Sequence, residues 1–307
     1  MITGIRMSDQ LFNYDKPRRR RPFLRGCLIV VLVIVGFFVL LAAGSSMDWF
    51  SFARGEKVAV LPINGLIIDS EAPIEQFKKF VEDGSVKAIV LRLNTPGGGV
   101  GPSQEIYEEI RKVRGKKVIV VSMGAVAASG GYLIACTADK IFANPGTITG
   151  SIGVIMKFVN MEDLIAKIGV RGFVVKSGEF KDIGSPLRKM KPEERQLLQS
   201  VIDNVHSQFV DAVAEGRKLA REDVLAIADG RVFSGEQAKE LGLVDRLGNL
   251  EDAIAEAGTM AKIEGEPRVV TPPKKKFSIF ELLRDEAERI IYEKLDGTQI
   301  RLDYKAQ

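Results

Sequence analysis

The sequence predicts an α/β protein: a parallel β-sheet with flanking helices, preceded by one N-terminal transmembrane helix. Three observations carry that expectation. Short apolar runs alternate with amphipathic ones in a strand–turn–helix rhythm, which marks β-α repeats and hence a parallel sheet. Two of the apolar runs end in glycine-rich turns, TPGGG at 95–99 and GAVAASGG at 124–131. Residues 26–44 form a stretch without a single charge.

The 307 residues permit one large domain or two small ones. A composition of 46% hydrophobic and 27% charged residues excludes disorder over most of the length. The net charge of +4 is local. Residues 1–25 hold seven basic residues against Asp9 and Asp15, so the rest of the chain is close to neutral and nucleic acid is not an expected partner. This stretch reads as a basic cytoplasmic tail. The run GCLIVVLVIVGFFVLLAAG at 26–44 would make a helix of about 28 Å, enough to cross a bilayer core. The RRRR run before it predicts a single-pass protein of the cell membrane, with a cytoplasmic N-terminus and an extracytoplasmic main domain. The lipid bilayer is then a partner. A cleaved signal peptide is the competing reading, since LAAG offers small residues at a cleavage point. Cys27 and Cys136 fall on opposite sides of that topology, so no disulfide joins them, and neither belongs to a metal-like pair.

Residues 45–55 read as a linker and 56–268 as the main domain. Within it, VAVLPINGLI (58–67) is a strand and IEQFKKFVED (74–83) a short helix. VKAIVLRLN (86–94) is nearly continuously apolar, as a parallel strand covered on both faces should be. TPGGG follows, then a helix over about 103–113, the strand KVIVVSM (117–123), a short turn, and a helix opening at SGGYLIACTA. KIFANP (140–145) is a further strand, ITGSIGVI (148–155) a loop or strand edge, MEDLIAKIG (161–169) a helix and RGFVVKSG (171–178) a strand. A long amphipathic helix runs from Pro192 to about Gly216, and two short helices flank a turn in the segment from Gly230 to Gly258. Residues 269–307 form a C-terminal tail, broken at PPKKK, whose amphipathic helix places Phe280, Leu283, Ala287, Ile290 and Ile291 on one side.

In open α/β sheets, sites form beyond the carboxyl ends of the strands, where both glycine-rich stretches fall. Gly97, Gly98 and Gly99 offer one backbone N–H to an oxyanion, and Gly130, just after Ser129, offers a second. The glycines fit neither a dinucleotide fingerprint nor a phosphate loop. Ser129 is either small filler or a nucleophile. The one histidine, His206, lies inside the long helix and reads as a packing or surface residue. A lysine is the alternative base, if desolvation or a nearby cation keeps it neutral. Lys181, in the glycine-bounded GEFKDIGSP, is one of several candidates, and Thr149 and Ser151 offer hydroxyls to orient an amine.

NTPGGG, GAVAASGGY, NPGTITGSIGV, KSGEFKDIGSPLR and GRVFSGEQAKELGLVDRLG, in that order over residues 56–255, resemble the signal peptide peptidase A family in its short, single-repeat form. The resemblance implies a ClpP/crotonase-like fold and a serine endopeptidase with a Ser-Lys dyad. By it, Ser129 is the nucleophile, Lys181 the general base, Ser151 the hydroxyl that orients the lysine, and the N–H groups of Gly98 and Gly130 the oxyanion hole. It implies an acyl-enzyme route, signal-peptide remnants cleaved in or near the membrane as substrates, and a homo-oligomer with enclosed sites. No cofactor and no metal are implied. Three other readings compete: a protease acting on other membrane or misfolded proteins, a crotonase-like acyl-CoA enzyme, and a non-enzymatic membrane-anchored scaffold.

Overall fold

The computed structural model describes residues 32–35, 55–273 and 303–305, the last three as backbone. The chain divides into two compact units, residues 1–54 and 55–307.

The expectation of a transmembrane helix is corrected. Among the described residues, no helix is long and apolar enough to cross a membrane. Of the stretch 26–44, only residues 32–35 are described, as one helical turn. A turn rises about 6 Å against a hydrocarbon core of about 30 Å. The remainder of that stretch, the basic tail, Cys27 and the tail helix expected within 274–302 lie outside the described residues. The membrane anchor, the bilayer as a partner, the single-pass placement and cleavage at a membrane therefore drop out of the functional reading.

The second unit begins with β1 (Lys57–Asn64), α1 (Glu71–Glu82), β2 (Val86–Thr95), β3 (Gly97–Gly99) and α2 (Val100–Arg111). It continues through β4 (Val118–Ala128), α3 (Gly130–Ala135), β5 (Lys140–Ala143), β6 (Ile148–Gly150) and α4 (Glu162–Lys167). Then come the long α5 (Pro192–Arg217), α6 (Arg221–Ile227), β7 (Val232–Ser234), α7 (Gly235–Glu240), β8 (Arg246–Leu247), α8 (Leu250–Met260) and β9 (Arg268–Val270). One strand of the tail is described, β10 (Asp303–Lys305).

The main sheet runs β7-β6-β4-β2-β1-β9, with β5 on β4 and β8 on β5. Its pairs are parallel except β6–β7, so the sheet is mixed rather than purely parallel. The continuous apolar runs are explained by what covers each face. Ile89, Leu91, Leu93, Ile119, Val121 and Met123 point one way, into a core closed by Phe77, Ile106, Ile110, Phe209 and Val213. Val58, Val60, Ala88, Val90 and Val120 point the other way, against Ala253, Ile254 and Ala257 of α8. Odd and even residues thus serve opposite layers, as the period of two requires.

Three elements differ from expectation. Strand β4 does not stop at Met123 but runs on to Ala128. Its register against β2 jumps between Leu93↔Met123 and Thr95↔Ala127. Asn94 Oδ1 accepts the N–H groups of Ala125 and Val126 at 3.1 and 3.3 Å, holding the extra residues in place. Helix α2 starts at Val100, directly after the glycines. Residues 171–178 form no strand: Phe173 is 91% exposed and Val175 fully so, with no pairing edge beside them.

Candidate active site

Because β2 and β4 are parallel neighbours, their carboxyl ends lie side by side, and so do the turns that follow. Thr95, at the end of β2, pairs with Ala127 of β4, two residues before Ser129. Thr95 is completely buried. Its Oγ1 accepts the N–H of Gly97 at 3.0 Å, shaping the glycine turn. Its methyl group occupies the space where a Cβ on Gly131 would fall, 2.6 Å away. One side chain therefore touches both glycine-rich stretches.

Ser129 stands between β4 and α3 with φ 55° and ψ −118°, a conformation that residues with a Cβ rarely adopt. Its N–H donates to Gly150 O at 2.8 Å and its carbonyl accepts from Leu133 N at 2.9 Å. The residue is buried, and its Oγ has no hydrogen-bond partner. Ser129 is thus a strained serine on a sharp strand-to-helix turn with an unsatisfied buried hydroxyl, two features that call for an explanation beyond small filler. Gly130 opens α3, so its N–H has no acceptor within the helix.

Strand β3 carries Gly98, the other residue expected to offer an N–H. The N–H of Ile67 donates to Gly97 O at 2.9 Å, and Gly99 N–H donates to Ile67 O at 2.8 Å. Successive strand residues direct their polar groups to opposite edges, so the Gly98 N–H points away from Ile67. At that opposite edge β10 pairs antiparallel, Tyr304 facing Gly98. Strand β10 also lies against α3, the helix that begins just after Ser129. The edge of β3 thus accepts an extended chain beside the serine.

Ser151 has φ 51°, is nearly buried, and gives its N–H to Arg231 O at 2.8 Å. Thr149 is committed elsewhere, donating to Ala127 O at 2.7 Å. Lys181 is exposed in a turn, its N–H bonded to Gly178 O at 3.2 Å. The structure brings Ser129, Gly98 and Gly130 to one place. No hydrogen bond joins Lys181 to Ser129, whose Oγ is unpartnered. His206 is a packing residue: its Nε2 meets Ala228 O at 2.7 Å. Burial pushes the Cys136 thiol up to about 12, which disqualifies it as a nucleophile. Among the described residues no group of His, Cys, Asp and Glu could hold a metal ion.

Sequence reasoning missed Thr95, whose side chain joins the two glycine stretches, and the ionic cluster around Lys181. Asp182 accepts from Lys176 and Arg188, and Arg188 also binds Glu194. Asp182 and Arg188 stand inside the quoted KSGEFKDIGSPLR, but only the fold shows which charges meet.

The family model of Peptidase family S49 matches residues 111–264, from the end of α2 past α8. The chain belongs to that family, the SppA proteases. A Clp protease model also matches residues 70–148, the part that holds β2, β3, β4 and Ser129. A provisionally named protease of Synechocystis sp. is 46% identical over 220 residues, covering 71% of this chain and 79% of that protein. A provisionally named protease of Methanocaldococcus jannaschii is 35% identical over 257 residues, 79% of this chain and 82% of that one. Protease 4 of Salmonella typhi is 40% identical over 220 residues, 68% of this chain but 35% of its own length. Family membership makes this S49 protein a serine-protease-type enzyme.

Proposed function

We propose that this S49 protein hydrolyses peptide bonds through an acyl-enzyme on Ser129, with Lys181 as general base. The observation that carries the reading is Ser129 itself: buried, strained and with an unpartnered Oγ, between two glycine segments. Lys181, as the free amine, takes the Ser129 proton while Oγ attacks the carbonyl carbon. The oxyanion is received by the N–H groups of Gly98 and Gly130. The lysine passes the proton to the leaving amine, and water, activated the same way, releases the acid and restores the serine. Ser151 orients the amine. The reaction requires the turn that bears Lys181 to reach Ser129, a contact that catalytic pairs often complete only in the working complex.

The substrate is an extended peptide. Support comes from β10, which already lies as an antiparallel strand on the edge of β3. Main-chain pairing of this kind reads no side chain, so sequence preference falls to the small-residue walls of the groove. An acyl-CoA substrate would be bound without a strand edge.

Peptide hydrolysis by the full chain, beside Ser129→Ala and Lys181→Ala, tests the reading. Both variants should lose at least about 10³-fold in kcat while keeping the wild-type fold. Near-native turnover by a folded Lys181→Ala protein would remove the lysine from the mechanism.

A further inference from the structure

The turn that bears Lys181 is short and carries no core side chain. Its backbone bonds are local: Lys181 N–H to Gly178 O, Ile183 N–H to Phe180 O and Ser185 N–H to Asp182 O, at 3.1–3.2 Å. The segment before it exposes Phe173 and Val175 instead of burying them. Something else must fix where Lys181 stands.

The next residue in the chain is held from several directions. Arg188 Nε donates to Asp182 Oδ2 at 2.9 Å, and Arg188 Nη2 donates to the Asp182 carbonyl at 3.1 Å. Lys176 Nζ donates to Asp182 Oδ1 at 2.5 Å and to Glu179 O at 2.7 Å. The other side of the Arg188 guanidinium forks onto Glu194, at 2.8 and 2.5 Å. The Glu194 side chain is 0% exposed and also accepts the Lys191 N–H at 2.9 Å, capping the first turn of α5. Further along α5, Phe209, Val210 and Val213 are completely buried in the core. A continuous path of bonds and helix therefore leads from the core to the residue beside Lys181. Both Asp182 oxygens are taken by Arg188 and Lys176, so this carboxylate is not left as a counter-ion for Lys181.

We propose that Arg188, acting through Asp182 and anchored on Glu194, is the positioning residue for Lys181. It touches neither substrate nor the reacting atoms; it sets where the amine stands. A planar guanidinium suits this task, because it can bind a carboxylate on each side in fixed geometry. The inference rests on Lys181 being the base.

The test uses the full chain, with kcat and KM for an extended peptide and the rate of Ser129 phosphonylation by a fluorophosphonate probe. Asp182→Asn is the primary variant, because it leaves the Arg188–Glu194 pair and the α5 cap intact. Arg188→Ala and Arg188→Lys accompany it, with circular dichroism to score folding. Asp182→Asn and Arg188→Ala should lower kcat and the phosphonylation rate by about 30- to 100-fold, with KM within about threefold. Arg188→Lys should recover part of the loss. Combined with Lys181→Ala, neither should slow phosphonylation further, because a residue acting through Lys181 has nothing left to position. A folded Asp182→Asn protein at wild-type kcat, beside an inactive Lys181→Ala, overturns the inference and leaves the base assignment standing. A further loss in the double variants also overturns it. Wild-type turnover by Lys181→Ala overturns both.

Discussion

Replacing Gly98 by alanine puts a Cβ 2.1 Å from the carbonyl oxygen of Ile67, with Ile67 N and C at 2.6 and 2.7 Å. All three are backbone atoms. They are fixed by the bonds from Ile67 N–H to Gly97 O and from Gly99 N–H to Ile67 O, so no side-chain rotation relieves the clash. Comfortable heavy-atom contacts lie near about 3.5 Å, so β3 must shift by more than about 1 Å. The Gly98 N–H moves with it. Misplacing a reacting geometry by about 1 Å costs about 10²-fold, and losing one oxyanion donor about 10²–10³-fold. The expected drop in kcat is about 100-fold, or about 2.7 kcal/mol of transition-state stabilisation. KM should rise as well, because the same strand edge receives the extended substrate. Gly101→Ala is the control, since nothing lies within 4 Å of a Cβ there. The assay is hydrolysis of an extended fluorogenic peptide, scored per folded molecule by circular dichroism. A folded Gly98→Ala protein at wild-type kcat would refute the reasoning, for then either β3 yields freely or its N–H is not used.

Three further outcomes follow from the same geometry. Gly131→Ala meets the Thr95 methyl at 2.6 Å and should destabilise by about 1–3 kcal/mol. Thr95→Ser keeps the hydroxyl that shapes Gly97 and removes that methyl, so the double variant should recover at least about 0.5 kcal/mol in a thermodynamic cycle; strict additivity would contradict it. Glu194 is held at about 2, chiefly by the hydrogen bond from Arg188, against an ordinary 4.5. A depressed carboxylate stabilises the fold above the unfolded value and loses that contribution as pH falls through the folded one. Melting temperatures of wild type and Glu194→Gln should therefore converge between pH 4.5 and about 2, and parallel curves would count against the pair. Truncation after residue 301 removes β10 from the edge of β3 and should lower KM for peptides while leaving kcat within about twofold. An unchanged KM would mean that β10 and substrate do not share the edge.

The sheet was legible because its strands are covered on both faces: VKAIVLRLN has no polar alternation to mislead, and it became a central strand. The place of Ser129 and the glycines was legible because small residues at the carboxyl ends of strands stand out in sequence; their proposed roles await the variants above. What the sequence hid was partnership. Asn94 is an ordinary polar residue until its Oδ1 is seen bridging the irregular register of β4. Residues 171–178 carry a strand's composition, but composition cannot show that no edge lies beside them. The stretch 26–44 has a membrane helix's composition, yet its described part is a single turn.

The same distinction explains why Ser129, the proposed nucleophile, is easier to read than Lys181, the proposed base. Ser129 is held by the sheet itself. Its N–H is bonded to Gly150, its strand is in register with β6, and Ala127 is paired with Thr95. The strain at φ 55° persists because three strands over-determine it. Lys181 has no such frame. Its place depends on a relay of charges, Glu194 to Arg188 to Asp182, that ends one residue away from it. Changes in that relay should therefore alter the rate without unfolding the sheet, whereas changes at Thr95 or Gly131 should cost stability and rate together.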